Sequence, residues 1–201
     1  NIEPAASTES EIGYQEPDLP AIEGPVSGSG EIYIADVEAG QPKPLANFDY
    51  AVKEYFISGI AADSPYNIRV LVILPSDISQ FSGHTLVENN HAENRPLVWR
   101  YTRDYNLSRG HAWVSVSTTT GDDIEHLRSM DPVRYVSLQL AEEQLSDVYA
   151  QLARQIKGAD SIVPGTQHLY LTAFSMAERP LPHYMESHHS AYRLADGSPL
   201  Y

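Results

Sequence analysis

Ser175 lies in the run Ala173-Phe174-Ser175-Met176-Ala177, directly after the apolar stretch His168–Phe174 and before a segment able to coil into a helix. A serine between small residues at a strand-to-helix turn is the pattern that lifts a hydroxyl above a sheet edge for attack on an acyl carbon. The flanking residues must be small because the turn brings them close together. The same turn aims the N–H of Met176, at a helix N-terminus, toward a developing oxyanion. A second N–H donor belongs on an earlier loop, and Asn90 and His91 in the polar run Asn89–His91 are the candidates. Glu88, just before that run, is placed to orient it. The competing readings are an N-cap serine at Ser175, ordinary turn residues at Asn90 and His91, and a satisfied buried acid at Glu88.

A serine hydroxyl is a poor nucleophile without a base, usually a histidine held by a carboxylate. The residues after Ser175 include Glu178, His183, Glu186, His188, His189 and Asp196. His183 is about two helical turns along, or about 12 Å of rise, which puts it away from the serine. His188 and His189 could fold back, or simply be exposed. The spacing of these three histidines with Glu186 matches no zinc motif, so no metal is expected. There is no glycine-rich phosphate loop or dinucleotide fingerprint either, and no cofactor is expected.

The elements that must position these groups follow from periodicity. Asp49–Ile60 reads as a strand, Ala61–Asn67 as a turn, and the β-branched run Ile68–Leu74 as a strand buried on both faces. Together they predict a hairpin. His84–Glu88 is a short strand. Pro96 stands at a helix start, and Leu97–Leu107 reads as a helix with Leu97, Val98, Tyr101 and Tyr105 on one side. His111–Ser117 alternates as a strand and Thr118–Asp123 is a polar loop. A helix within Leu140–Lys157 places Leu145, Val148, Tyr149, Leu152 and Ile156 on one stripe, and Gly158 ends it. After the hairpin, strands alternate with helices. That order implies α/β architecture: a mostly parallel sheet with helices on both faces, and ligands beyond the strands' carboxyl ends. Trp99 and Trp113 are expected in core contacts.

Composition narrows the partners. The 201 residues carry 13 Lys+Arg against 27 Asp+Glu, a net charge of −14, which disfavours a nucleic-acid backbone as partner. There is no cysteine, which removes disulfides, thiolate nucleophiles and iron–sulfur ligation. No apolar run reaches the roughly 18 residues of a membrane span. Residues 1–42 contain nine acids and no Lys or Arg, so residues 1–48 read as an acidic arm rich in Pro, Ser and Gly. Such an arm, with no cysteine and no initial Met, suggests a secreted or periplasmic protein.

Several stretches in order resemble one family. Lys53–Ala61 (KEYFISGIA), Ile68–Pro75 followed by Phe81-Ser82-Gly83 and Thr85–Glu88, Gly110–Ser117 (GHAWVSVS) and Asp131–Tyr135 (DPVRY) are similar to successive motifs of a sparsely characterised family of α/β-hydrolase domains. The resemblance covers residues 49–201. It implies an α/β-hydrolase fold in its N-terminal portion, with Ser175 as nucleophile and a carboxylic ester or related acyl compound as small-molecule substrate.

The chain departs from that pattern after the nucleophile strand. Ala173 replaces a usual Gly, and Met176-Ala177 a usual Gln-Ser. Pro180 and Pro182 fall where a helix should run, Pro182 where it is expected to break or kink it. The family chain continues past this point with the triad acid and base, so the domain reads as truncated. His168–Phe174 would then be an exposed sheet edge that a partner chain could cover. Two functions stand side by side: a serine hydrolase, and a non-catalytic truncated or degenerate hydrolase-fold module with a structural or binding role.

Overall fold

The structure, a computed structural model, describes residues 13–27, 32, 45–117 and 122–201. Six strands form one sheet: β1 (Ala21–Glu23), β2 (Tyr50–Ala61), β3 (Ser64–Pro75), β4 (His84–Asn89), β5 (Ala112–Val116) and β6 (His168–Ala173). Their spatial order is β1-β2-β3-β5-β4-β6. The sheet is mixed. β1–β2, β2–β3 and β3–β5 pair antiparallel, whereas β5–β4 and β4–β6, the strands reached through helical crossovers, pair parallel.

The hairpin is tighter than its turn residues imply. Only Ala62 and Asp63 lie between the strands, at φ 45° and 58°. Two positive-φ residues in succession give the turn whose twist suits a hairpin. Ser64–Asn67 therefore pair as strand against Gly59, Ile60 and their neighbours instead of looping. The Ala62 N–H donates to Asp147 Oδ2 at 2.9 Å, and Gln144 Nε2 donates to the carbonyls of Ala61 and Ser64, so a distant helix fixes the turn.

Alternation along β3 separates the two cores. Val70, Val72 and Leu74 face α3 (Leu145–Lys157), whose Leu145, Val148, Tyr149, Leu152 and Ile156 form the expected stripe, all buried. Leu71 and Ile73 face the other way, toward α1 (Leu97–Ser108). There the Trp99 and Trp113 rings stack with centroids 4.7 Å apart. The buried face of α1 is Trp99, Asn106 and Leu107, while Tyr101 and Tyr105 are exposed. Seating Trp99 on the sheet rotates the expected tyrosine face outward. Gly110 ends this segment at φ 72°, and a Cβ there would collide with the Gln80 carbonyl oxygen.

Two elements were not expected. Helix α2 (Asp122–Met130) packs Ile124 and Leu127 on Phe56, Tyr135 and Leu138, where a polar loop had been read as far as Asp123. The rest of that loop, residues 118–121, lies outside the described residues. In the acidic segment, β1 adds to the β2 edge, Val26 N–H donates to the Glu54 carbonyl at 2.8 Å, and Gln15 bridges to Tyr192. Residues 21–26 thus lie along the sheet and Gln15 against the C-terminal segment, and the remainder of residues 1–44 apart from 13–27 and Ile32 is outside the described residues. At the opposite edge, β6 pairs only with β4 among the described residues. Within the described residues, no helix is long and apolar enough to cross a membrane.

Candidate active site

The carboxyl ends of the three parallel strands meet at one residue. Asn89, last in β4, is in register with Val116 on one side and Ala173 on the other. The chain leaves β4 for β5 on one flank and then crosses to β6 on the other. Such a reversal leaves a crevice at the strand ends, where ligands of open α/β sheets bind.

Ser175 lies just beyond the carboxyl end of β6 at that switch point. Phe174 is still extended, at φ −135° and ψ 135°. Ser175 then turns to φ 59°, and a 3₁₀ turn runs from Ser175 to Glu178. A non-glycine residue in this left-handed region costs about 1–2 kcal/mol and persists only where its surroundings hold it. The side chain is exposed, and its Oγ makes no hydrogen bond among the described residues. The Met176 N–H likewise donates to no described acceptor. Strand, strained serine and short helical turn therefore present a free hydroxyl and a free N–H side by side.

Asn90 and His91 are put to another use. The Asn90 N–H donates to the Val116 carbonyl at 3.1 Å, extending the β4–β5 ladder by one rung. The His91 N–H donates to the Arg95 carbonyl at 2.9 Å, and Arg95 N–H returns the bond at 3.0 Å, closing a tight loop. Both candidate oxyanion donors are thus committed to backbone carbonyls. Ser115 Oγ donates to Asn90 Oδ1 at 2.8 Å, and Asn94 is tied to Asp123, so this loop is fixed from several sides.

Glu88 supplies part of that fixing. Its carboxylate accepts the N–H of Val98 at 2.6 Å and of Trp99 at 2.8 Å, the first orphan donors of α1, and Trp113 Nε1–H at 3.0 Å. Burial raises its pKa to about 7, against the three donors, which pull it down. Glu88 is therefore both a satisfied buried acid and the anchor of the helix that follows the loop.

No described histidine or carboxylate reaches Ser175 Oγ. His188 folds back onto α3: its Nε2 lies 2.8 Å from Asp147 Oδ1 at the start of that helix, and its Nδ1 lies 2.6 Å from Ser187 Oγ. His183 sits beside it, with ring centroids 6.4 Å apart. His84, His111 and His168 gather at the opposite, amino ends of the parallel strands, with His84 ring centroids 5.1 and 4.5 Å from the other two. No group of three or more His, Asp or Glu among the described residues is arranged to hold a metal ion.

The prolines fragment the helix after the serine instead of stopping it. The 3₁₀ turn passes to α4 (Pro180–Tyr184) and then to a π-helical turn at Met185–His189. Pro180 and Pro182 both fall in the first turn of α4, where a missing N–H is tolerated.

Asn89, expected in the polar loop, is instead the last residue of β4. It is fully buried, and its Nδ2 donates to the Ala177 carbonyl at 2.7 Å, joining the end of β4 to the turn that carries Ser175. The available signal was a polar amide ending the run Thr85-Leu86-Val87-Glu88, since a buried amide must be hydrogen-bonded.

No curated protein matches the chain. Among solved structures, a dienelactone hydrolase from Anabaena variabilis is similar at 17% identity and a TM-score of 0.32, over 61% of this chain and 51% of that one. The matched part thus spans about half the length of that enzyme. The family model described as "Alpha/beta hydrolase domain" matches residues 22–201, which takes in every strand from β2 onward, Asn89 and Ser175. The chain belongs to the alpha/beta hydrolase domain family.

Proposed function

We propose that this chain carries the nucleophile of a serine hydrolase acting on a carboxylic ester or related acyl compound. One observation supports the reading above the rest: Ser175 holds φ 59° just beyond the end of β6, with its Oγ and the Met176 N–H both open. Strain at a non-glycine residue is retained where function needs the side chain presented. In the reaction, Oγ attacks the acyl carbon, the carbonyl π pair moves to oxygen, and Met176 N–H stabilises that oxyanion. The serine proton passes to a base and on to the departing alcohol, and water then releases the acid from the acyl-enzyme. No described residue hydrogen-bonds to Oγ to take that proton, and this reading assigns the base to a residue outside the described ones.

That same gap favours a second reading, in which these 201 residues form a hydrolase-fold module without turnover of their own. A fluorophosphonate probe followed by intact-mass measurement separates the two. An adduct on the wild-type chain that vanishes in Ser175→Ala supports the nucleophile. An equal adduct in Ser175→Ala refutes it, and an unlabelled, folded wild type without ester turnover supports the module.

A further inference from the structure

The turn that carries Ser175 is closed by two long 3₁₀ bonds, Ala177 N–H to the Phe174 carbonyl and Arg179 N–H to the Met176 carbonyl, both 3.3 Å. It is the first turn of a helical run that continues through α4 to His189, and a first turn must fix several dihedrals for each hydrogen bond it gains. Here the next turn is depleted as well. In an α-helix the N–H of residue 180 would close on the Met176 carbonyl and that of residue 182 on the Glu178 carbonyl, but both positions are proline. The Met176 carbonyl accepts instead from Arg179 N–H in a 3.3 Å 3₁₀ bond. Against this weak support, Ser175 keeps a backbone conformation that resists it.

Asn89 acts on both sides of the strained residue. Its backbone is in register with Ala173, two residues before Ser175. Its side-chain amide donates to the carbonyl of Ala177, two residues after. The bond is 2.7 Å long, between two buried partners, in a part of the sheet flanked by Val116 and Ala173. A buried polar donor is costly to leave unmade, so this bond is hard to break by exchange with water.

We propose that Asn89 is the positioning residue of the serine turn: by gripping Ala173 through the strand ladder and Ala177 through its amide, it fixes the direction of Ser175 Oγ and Met176 N–H. The proposal deepens the hydrolase reading and rests on it for activity, but the positioning itself is measurable without turnover.

The test compares wild type, Asn89→Asp, Asn89→Leu and the double variant Asn89→Asp/Pro180→Ala by hydrogen exchange of the full chain, alongside fluorophosphonate labelling. Asp keeps the shape but turns the donor into an acceptor facing a carbonyl. Exchange in residues 174–181 is expected to rise about tenfold in both single variants, while peptides from α3 and the β2–β3 hairpin stay within about twofold. Restoring an N–H at position 180 is expected to recover part of that protection. Labelling of Ser175 is expected to slow about tenfold at unchanged probe affinity. Unchanged exchange at 174–181, or an equal rise across the whole chain in both single variants, overturns the proposal. If wild-type Ser175 takes no label, the nucleophile reading fails, and the exchange result still decides the role of Asn89.

Discussion

Glu54 in β2 and Arg134, eighty residues later, form a buried ion pair, with Arg134 Nε donating to Glu54 Oε2 at 2.6 Å. The carboxylate is fully buried and also accepts from Arg69 Nε and from the Tyr135 hydroxyl, the latter at 2.9 Å. Two stretches read separately in the sequence, Lys53–Ala61 and Asp131–Tyr135, are therefore halves of one polar cluster. It pins the segment after α2 to the sheet, and Arg134 reaches on to the Val26 carbonyl, drawing in the N-terminal segment.

Removing the shared anion leaves two guanidinium groups facing each other in a desolvated site. Uncompensated buried charge of this kind typically costs about 3–5 kcal/mol. Glu54→Gln is expected to lower stability by about 3 kcal/mol or more, read as a fall in the denaturant midpoint. A change below about 1 kcal/mol would mean that water reaches the cluster.

The elements with the strongest periodicity were legible beforehand: the α3 stripe, the continuously apolar β3, and the strand running into Ser175. Helix α2 was not, because Asp122–Met130 has only Ile124, Leu127 and Met130 as large apolar residues and follows a polar run. The face of α1 was misjudged because tyrosines at helical spacing look like core until a nearby tryptophan claims the sheet. Near the candidate site, the strand-to-helix turn at Ser175 was legible from its neighbours. The engagement of the Asn90 and His91 N–H groups was not, since backbone partners leave no trace in residue type. Asn89 acts through a carbonyl eighty-eight residues away, a contact that only the parallel register creates.

Glu88 should give stability an unusual pH dependence. Its folded pKa, about 7, lies above the unfolded value near 4.5, because burial disfavours the anion. The native state then holds more protons between those values, so stability is greatest below about pH 4.5 and falls as pH rises to about 7. A shift of this size amounts to about 3 kcal/mol. Glu88→Gln should flatten the slope between about pH 5 and 7, measured as denaturant midpoint against pH. A slope unchanged in the variant would assign it to other groups.

His111 should act with the opposite sign. Burial, then the neighbouring His84 and Arg109, lower its pKa below the usual histidine value. A folded pKa below the unfolded one means that the neutral ring is favoured in the native state. Its contribution is present above about pH 6.5 and is lost as pH falls through that value toward the folded pKa. His111→Gln, which can keep a hydrogen bond to Ser82 Oγ in place of the 2.7 Å ring contact, should be less sensitive to acid as pH falls below about 6.5. Equal acid sensitivity in the two proteins would count against the histidine.

Ser175 is where stability and function should separate. At φ 59° it bears the cost of a left-handed residue with a Cβ, which glycine escapes. Ser175→Ala keeps that strain and loses only an exposed hydroxyl that bonds to nothing described, so its stability should match wild type within about 0.5 kcal/mol. Ser175→Gly relieves the strain but adds backbone freedom to the unfolded chain, and the balance should favour the variant by about 0.5–1 kcal/mol. Both should lose fluorophosphonate labelling. A glycine variant that is less stable than the alanine variant would show that the turn is not strained at this residue, and would remove the main support for a presented nucleophile.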